Sequence, residues 1–308
     1  MKMSYIATCD DNGTEIIKIL YNKFRMSHQM VKKLKFHGTV ELNGKHAIVR
    51  ERVSRGDVLY IELDEDAQVL NHPEGIPFYH EDEWYIVVSK PSGIVTHPTH
   101  GHLDDSLITR LSDETLHPVI RLDRETSGLI LIARNGYAHN TLSLYGNMRK
   151  KYIAVCYGRL DTDEGTIDEP IARRPGSVMI RDVDPNGKRS VTHYRVLLYD
   201  EINDISLVEF TLGTGRCHQI RCHSTYIGHP LAGDGLYGPN SVDNPNYSYP
   251  LSRDIDGKIG RVALHAYYLA MHDPFAEKEY EYKDPLPCDM KGLFSSPELV
   301  DEVLREIY

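Results

Sequence analysis

The chain reads as an α+β protein in two parts, a small αβ module followed by a larger strand-rich domain, and three features of the sequence say so. Residues 1–63 carry two helix-spaced apolar segments and then two short alternating ones. From residue 84 onward, short apolar or β-branched runs recur with few helical stretches among them. Between the two lies an acidic, proline-containing stretch without periodicity, residues 64–80, which reads as a linker. Strands that recur without regularly alternating helices favour an α+β sheet over a doubly wound one.

In the module, Ile16, Ile17 and Leu20, then Met30, Val31 and Leu34, fall at helical spacing in two segments broken at "RMSH". Ser27 is placed to cap the second helix, because its hydroxyl can accept an otherwise unpaired N–H, and Gly38 is placed to end it. "TVELNGK" and "DVLYIEL" follow as strands, the first closed by the turn pair Asn43-Gly44. In the larger domain, residues 81–293, the strands are "WYIVVSKP", "LILIA", "YIAVCY", "THYRVLLY", "ISLVEFTL" and "VALHAYYLAM". The tail, residues 294–308, is an amphipathic helix with Pro297 in its first turn.

Composition narrows the class. With 308 residues, 41 % of them apolar, the chain can bury a full core. No stretch approaches the roughly eighteen apolar residues of a membrane span. The start, "MKMSYIATCDDNG", lacks the apolar centre of a signal peptide, so a soluble cytoplasmic protein is expected. Five scattered cysteines without a C-x-x-C pair suggest reduced thiols, not a disulfide framework or a zinc ribbon. The net charge is −10, yet residues 1–63 hold seven Lys and four Arg against seven Asp and Glu. The rest of the chain is therefore strongly acidic, and the basic module points to an anionic partner, although a solvated charged face would look the same.

Three stretches are denser in Gly, Arg, His and Asp than folding needs: "KPSGIVTHPTHGH" (90–102), "RLDRETSGLILIAR" (121–134) and "LGTGRCHQIRCHSTYIGHPLAGDGLYG" (212–238). Each adjoins a strand, where a rigid sheet can position a site. "GTGRCH" is not a dinucleotide fingerprint, since His218 occupies the third glycine's place. "CHQIRCH" and "THPTHGH" lack the paired spacing of a zinc site, and no metal or cofactor is expected. "ETSGL" is not the G-x-S-x-G of a serine nucleophile. What remains is Asp123 beside arginines. A carboxylate in a partly dry pocket resists ionisation, and a guanidinium within reach restores the charge that makes it a nucleophile. A turn aspartate paired at the surface with Arg121 or Arg124 fits the local residues equally well.

The same stretches resemble the RluA-type pseudouridine synthases. "RLDRETSGLILIAR" is similar to their H-R-L-D-x-x-T-S-G-L motif, "KPSGIVTHP" to their K-P-x-G segment, "KKYIAVCYG" to their tyrosine strand and "TGRCHQIRCH" to their T-G-R-x-H-Q-I-R stretch. "HPLAGDGLYG", "VALHAYYL" and "DPLPCDMKGL" follow in the family's order, so the likeness spans residues 85–293. Ahead of it, "SHQMVKKLK", "TVELNGK" and "RGDVLYIEL" resemble an S-four-like RNA-binding module, a pairing this family uses. Ile120 departs from the family's His, and Cys217 from its Thr.

The resemblance implies a mixed, mainly antiparallel sheet with peripheral helices and the isomerisation of uridine in RNA without metal, cofactor or redox change. Ribosomal RNA of the large subunit is the expected partner, transfer RNA the alternative, and a monomer the expected state. Asp123 would be the nucleophile, Tyr152 would stack on the uracil and assist proton removal, and Arg221 would pair with Asp123. Leu264 would pack on the base, with Arg121, Arg124, Lys90 and Arg216 holding the opened RNA. In the module, Arg25, Lys32, Lys33 and Lys35 would meet phosphates. Ile120 puts local substrate contacts in question. Two other classes stay in view: a non-catalytic RNA-binding or ribosome-assembly factor, in which an active-site residue would normally be lost, and a glycosidase, which needs a second carboxyl group that only Glu125 offers.

Overall fold

The computed structural model describes residues 2–63, 69–98, 105–241 and 248–308. Two sheets and their helices account for it. The first comprises β1 (Lys2–Ile6), β2 (Gly38–Leu42), β3 (Lys45–His46) and β4 (Val58–Leu63) in the antiparallel order β1-β4-β2-β3. Helices α1 (Ile16–Asn22) and α2 (His28–His37) cover it. Five of the six helix-spaced apolar residues, Ile16, Leu20, Met30, Val31 and Leu34, are buried against Val40, Leu59 and Ile61 of the strands. The Ser27 hydroxyl accepts the Met30 N–H at 3.2 Å, and Gly38 closes the helix. Strand β1 has no counterpart in the sequence reading. It is a short edge strand whose alternate residues are only half-buried, so its apolar signal is weak.

The larger sheet draws on β5 (Phe78–Glu81), β6 (Tyr85–Lys90), β7 (His117–Pro118), β8 (Ser127–Ala133), β9 (Arg149–Tyr157) and β10 (Glu164–Asp168). A separate hairpin, β11 (Ile171–Arg173) with β12 (Arg181–Val183), precedes β13 (Val191–Asp200), β14 (Ile205–Leu212), β15 (Leu264–Asp273) and β16 (Lys278–Lys283). The order is β10-β13-β14-β9-β15-β8-β6-β5, with β16 on β15 and β7 on β8. Among the described pairings only β15 with β8 is parallel, so the sheet is mixed and mainly antiparallel, as expected. The helices α3 (Leu107–Leu111), α4 (Gly136–Tyr145), α5 (Gln219–Tyr226), α6 (Ser252–Ile259), α7 (Cys288–Lys291) and α8 (Pro297–Arg305) are peripheral, and no described helix is long and apolar enough to cross a membrane.

Strand periodicity explains the two cores flanking the sheet centre. Ile153, Val155 and Tyr157 of β9 face one way, onto Ile255 of α6, Met290 of α7 and Leu304 of α8. Tyr152, Ala154 and Cys156 face the other, with Val208, Phe210, Ile220 and Leu264. Strand β8, "SGLILIA", is buried along its whole length, which is why its sequence runs apolar instead of alternating.

The linker assignment needs correction at its end. Residues 64–68 lie outside the described residues, but Ile76 is buried in the larger core and Phe78–Glu81 pair with β6. The tail is docked, with Phe294, Val300 and Leu304 buried.

The two parts also touch. Tyr137 of α4 enters the small module's core, and Trp84 stacks on Phe275 beside it with centroids 4.6 Å apart. Arg25 holds φ +58 and lays its guanidinium 3.9 Å from the Tyr145 ring centre. Its carbonyl accepts the Asn140 amide at 3.2 Å. Expected at phosphates, Arg25 is instead committed to this junction, whereas Lys32, Lys33 and Lys35 lie exposed on α2.

Candidate active site

Asp123 sits in the turn between β7 and β8, and "KPSGIVT" is the clamp that holds this turn. The Ser92 hydroxyl donates to the Glu125 carbonyl at 2.7 Å and the Gly93 N–H to the Arg124 carbonyl at 2.9 Å. Thr96 both donates to the Leu122 carbonyl and accepts the Leu122 N–H, at 3.0 and 3.3 Å. Lys90 completes the clamp from the end of β6. Its Nζ is fully buried and donates to the carbonyls of Pro91, Ile94 and Arg124 at 2.8–3.0 Å. Burial pulls its pKa down to about 7, yet three acceptors around Nζ match the three hydrogens of an ammonium. Lys90 was expected at the RNA; it is a structural cation, because its stem runs inward from a strand end and the carbonyls consume its donors.

Ile120 is resolved by the same geometry. It is buried with Leu116, Leu129 and Leu131, and its N–H donates to the Leu131 carbonyl at 3.2 Å. An apolar residue there fills core.

Past the turn, β8 crosses β15 closely. Gly128 holds φ +113, and a β-carbon on it would lie 2.3 Å from the Ala266 carbonyl oxygen. Only glycine permits this approach, which brings Leu264, at the start of β15, against the Asp123 turn.

The facing wall is the "TGRCHQIR" segment. Gln219 pins it to β13, donating to the Val191 carbonyl and Thr192 hydroxyl at 2.9 Å and accepting the Arg216 N–H at 2.9 Å. Arg221 in α5 makes a two-pronged pair with Asp234, at 2.7 and 2.6 Å, and reaches Oδ2 of Asp123 at 3.4 Å. Burial opposes its charge, but the Asp234 hydrogen bonds and then the charges of Asp234 and Asp123 raise its pKa overall. The predicted Asp123–Arg221 pair is thus present as the weaker of two contacts. Asp234 was missed. It is placed by Gly233, whose β-carbon would collide with the Arg261 carbonyl, and a contact of this range leaves no mark in local spacing.

One open cleft gathers these groups. Asp123, Tyr152, Arg221 and Leu264 line it, with Arg121, Arg216 and His218. Asp123 is partly open, its side chain 27 % exposed. Arg121 and Arg216 are exposed at the rim, and Arg124, exposed beside it, donates to the Gly93 carbonyl at 3.0 Å. Tyr152 is 6 % exposed, and burial, followed by the Asp123 charge, raises its phenol pKa. That keeps it a neutral, flat surface and disfavours the phenolate a base would require. Asp123, Cys217 and His218 bring a carboxylate oxygen, a thiol and a ring nitrogen within 4.8 Å of one another. The Arg221 charge on that carboxylate opposes a metal there. Of "THPTHGH", residues 99–102 lie outside the described residues.

A partly open carboxylate with a guanidinium on one of its oxygens thus shares one cleft with Tyr152 and Leu264, and arginines stand exposed beside it. Residues 84–226 match the family model described as RNA pseudouridylate synthase. The chain is 34 % identical to the RNA pseudouridine synthase YjbO of Bacillus subtilis (strain 168), over 90 % of this chain and 97 % of that one. It is 33 % identical to ribosomal large subunit pseudouridine synthase D of Escherichia coli O6:H1, over 95 % and 94 %. The solved structure of human RNA pseudouridylate synthase domain containing 1 shares the fold, with a TM-score of 0.56 over 75 % of this chain and 95 % of its own at 24 % identity. The chain belongs to the RNA pseudouridine synthase family and isomerises uridine in RNA to pseudouridine.

Proposed function

We propose that Asp123 is the nucleophile that frees the uracil of a flipped uridine, and that the RNA is ribosomal RNA of the large subunit. The observation that carries the first part is the single cleft in which Asp123 meets Arg221, Tyr152 and Leu264. Arg221, 3.4 Å from Oδ2, aims the carboxylate. Tyr152 and Leu264 offer the two apolar faces between which a detached ring can turn before it is rejoined through carbon five. Extracting a stacked base costs a few kcal/mol, which contacts to the opened strand must offset. Arg121, Arg124 and Arg216 stand at the rim for that purpose. Lys32, Lys33 and Lys35 on α2 extend the basic surface, so residues 1–63 serve as the RNA-binding module and the larger domain, which Ile76 and β5 already belong to, as the catalytic domain of a monomer. The ribosomal target is supported by the full-length likeness to a synthase named for the large subunit.

The test is to delete the gene in its host and map pseudouridines across total RNA by carbodiimide-dependent reverse-transcription stops. Loss of one or more sites in large-subunit RNA, restored by the wild-type gene and not by Asp123→Asn, is the expected result. Loss confined to transfer RNA would overturn the ribosomal target, and restoration by Asp123→Asn would overturn the nucleophile.

A further inference from the structure

His218 lines the cleft and has been given no task by any motif. It stands at the start of α5 with φ +56, the left-handed region that a β-carbon disfavours, and its side chain caps no helix N–H. A non-glycine residue held there by its surroundings points to a use for its side chain. The ring, 10 % exposed, lies between Tyr237 and Asp123. Its Nδ1 is 3.0 Å from the Tyr237 hydroxyl and its Nε2 is 3.7 Å from Oδ2 of Asp123.

The order of hydrogen bonds determines which nitrogen carries the proton. The Tyr237 hydroxyl accepts the Arg181 backbone N–H at 2.8 Å. When that hydroxyl donates its own hydrogen to Nδ1, the single proton of a neutral ring resides on Nε2, facing Asp123. The ring is neutral near pH 7, because burial pulls its pKa below the ordinary range; Asp123 and Asp234 push it upward, and Arg221 and Arg181 push it down. Arg221 and His218 both address Oδ2, and among the described residues no side chain engages Oδ1. A separation of 3.7 Å is long for a hydrogen bond, as catalytic contacts often are before substrate fills the site.

We propose that His218 is a positioning residue for the nucleophile: its Nε2–H, held in that tautomer by Tyr237, joins Arg221 on Oδ2 of Asp123 and leaves Oδ1 as the attacking oxygen. This rests on Asp123 being the nucleophile. The prediction follows from where the proton sits. Below the imidazole pKa both ring nitrogens are protonated and Tyr237 is not needed to fix them; above it, a ring without Tyr237 can move its one proton to Nδ1 and lose the bond to Asp123.

The test uses total RNA labelled with [5-³H]uridine in cells lacking the enzyme, since pseudouridine formation expels the hydrogen at carbon five. Tritium release by wild type, Tyr237→Phe, His218→Asn and Asp123→Asn is followed from about pH 5 to about pH 9. The ratio of Tyr237→Phe to wild-type turnover should fall on the order of tenfold as the pH rises through the imidazole pKa. His218→Asn, which tolerates the left-handed backbone, should lower turnover on the order of tenfold while KM stays nearly constant. A flat Tyr237→Phe ratio, or wild-type turnover in His218→Asn, overturns the inference while Asp123→Asn remains inactive. Release by Asp123→Asn would strike the nucleophile itself, and this inference with it.

Discussion

The two walls of the cleft are held in opposite ways. The Asp123 turn is gripped by its main chain: Lys90, Ser92 and Thr96 bond to backbone groups of residues 122–125 and ask nothing of the side chains there. The facing wall is gripped by its side chains, with Gln219 on β13, His223 on the Thr192 hydroxyl at 2.8 Å and Arg221 on Asp234. The first arrangement leaves Asp123 and Arg121 available to a ligand, while the second spends Gln219, His223 and Asp234 internally. Substitution of the side chains left to a ligand should therefore fail in function, and substitution of those bonded internally should fail in folding.

The largest effect on stability is expected from Asp234→Ala. It strands the buried Arg221 guanidinium and should cost on the order of 3–5 kcal/mol, read by chemical denaturation. A loss under about 1 kcal/mol would mean that the second wall does not depend on its side chains. Lys90→Met comes next. It removes the donor to Pro91 and Ile94 and one of two to Arg124, for about 1–3 kcal/mol, and turnover should fall as the turn loosens. If Lys90 instead held RNA, stability would be unchanged and affinity would drop.

Arg121→Ala probes the free wall. Its melting midpoint should move little, while RNA affinity weakens and the slope of log affinity against log salt falls by about one. Arg25→Ala should be smallest, removing a cation–π contact worth about 0.5–1 kcal/mol with no change in salt slope. A salt slope reduced as in Arg121→Ala would return Arg25 to the RNA.

The same contrast explains what the sequence disclosed. The motif likeness singled out Asp123, Tyr152, Arg221 and Leu264, which line one cleft. The helical spacing of the small module was readable because one face of each helix is buried. Lys90 was misread, since spacing does not tell whether a lysine points to solvent or to three carbonyls. Asp234 and Tyr237 were missed because their partners are tertiary, set by the glycine crossing at Gly233 and by the hairpin residue Arg181. His218 lies in the matched T-G-R-x-H-Q-I-R stretch without a role assigned to it, and its positive φ is visible only in the folded chain.

The most direct test of the account is single-turnover conversion of labelled RNA by purified Asp123→Asn beside wild type, with circular dichroism and melting on both. The side chain is 27 % exposed and its amide can still meet Arg221, so the fold should be retained with the midpoint nearly unmoved. Conversion should fall on the order of 10⁴-fold or more. A folded Asp123→Asn protein that converts uridine within about tenfold of the wild-type rate would contradict it.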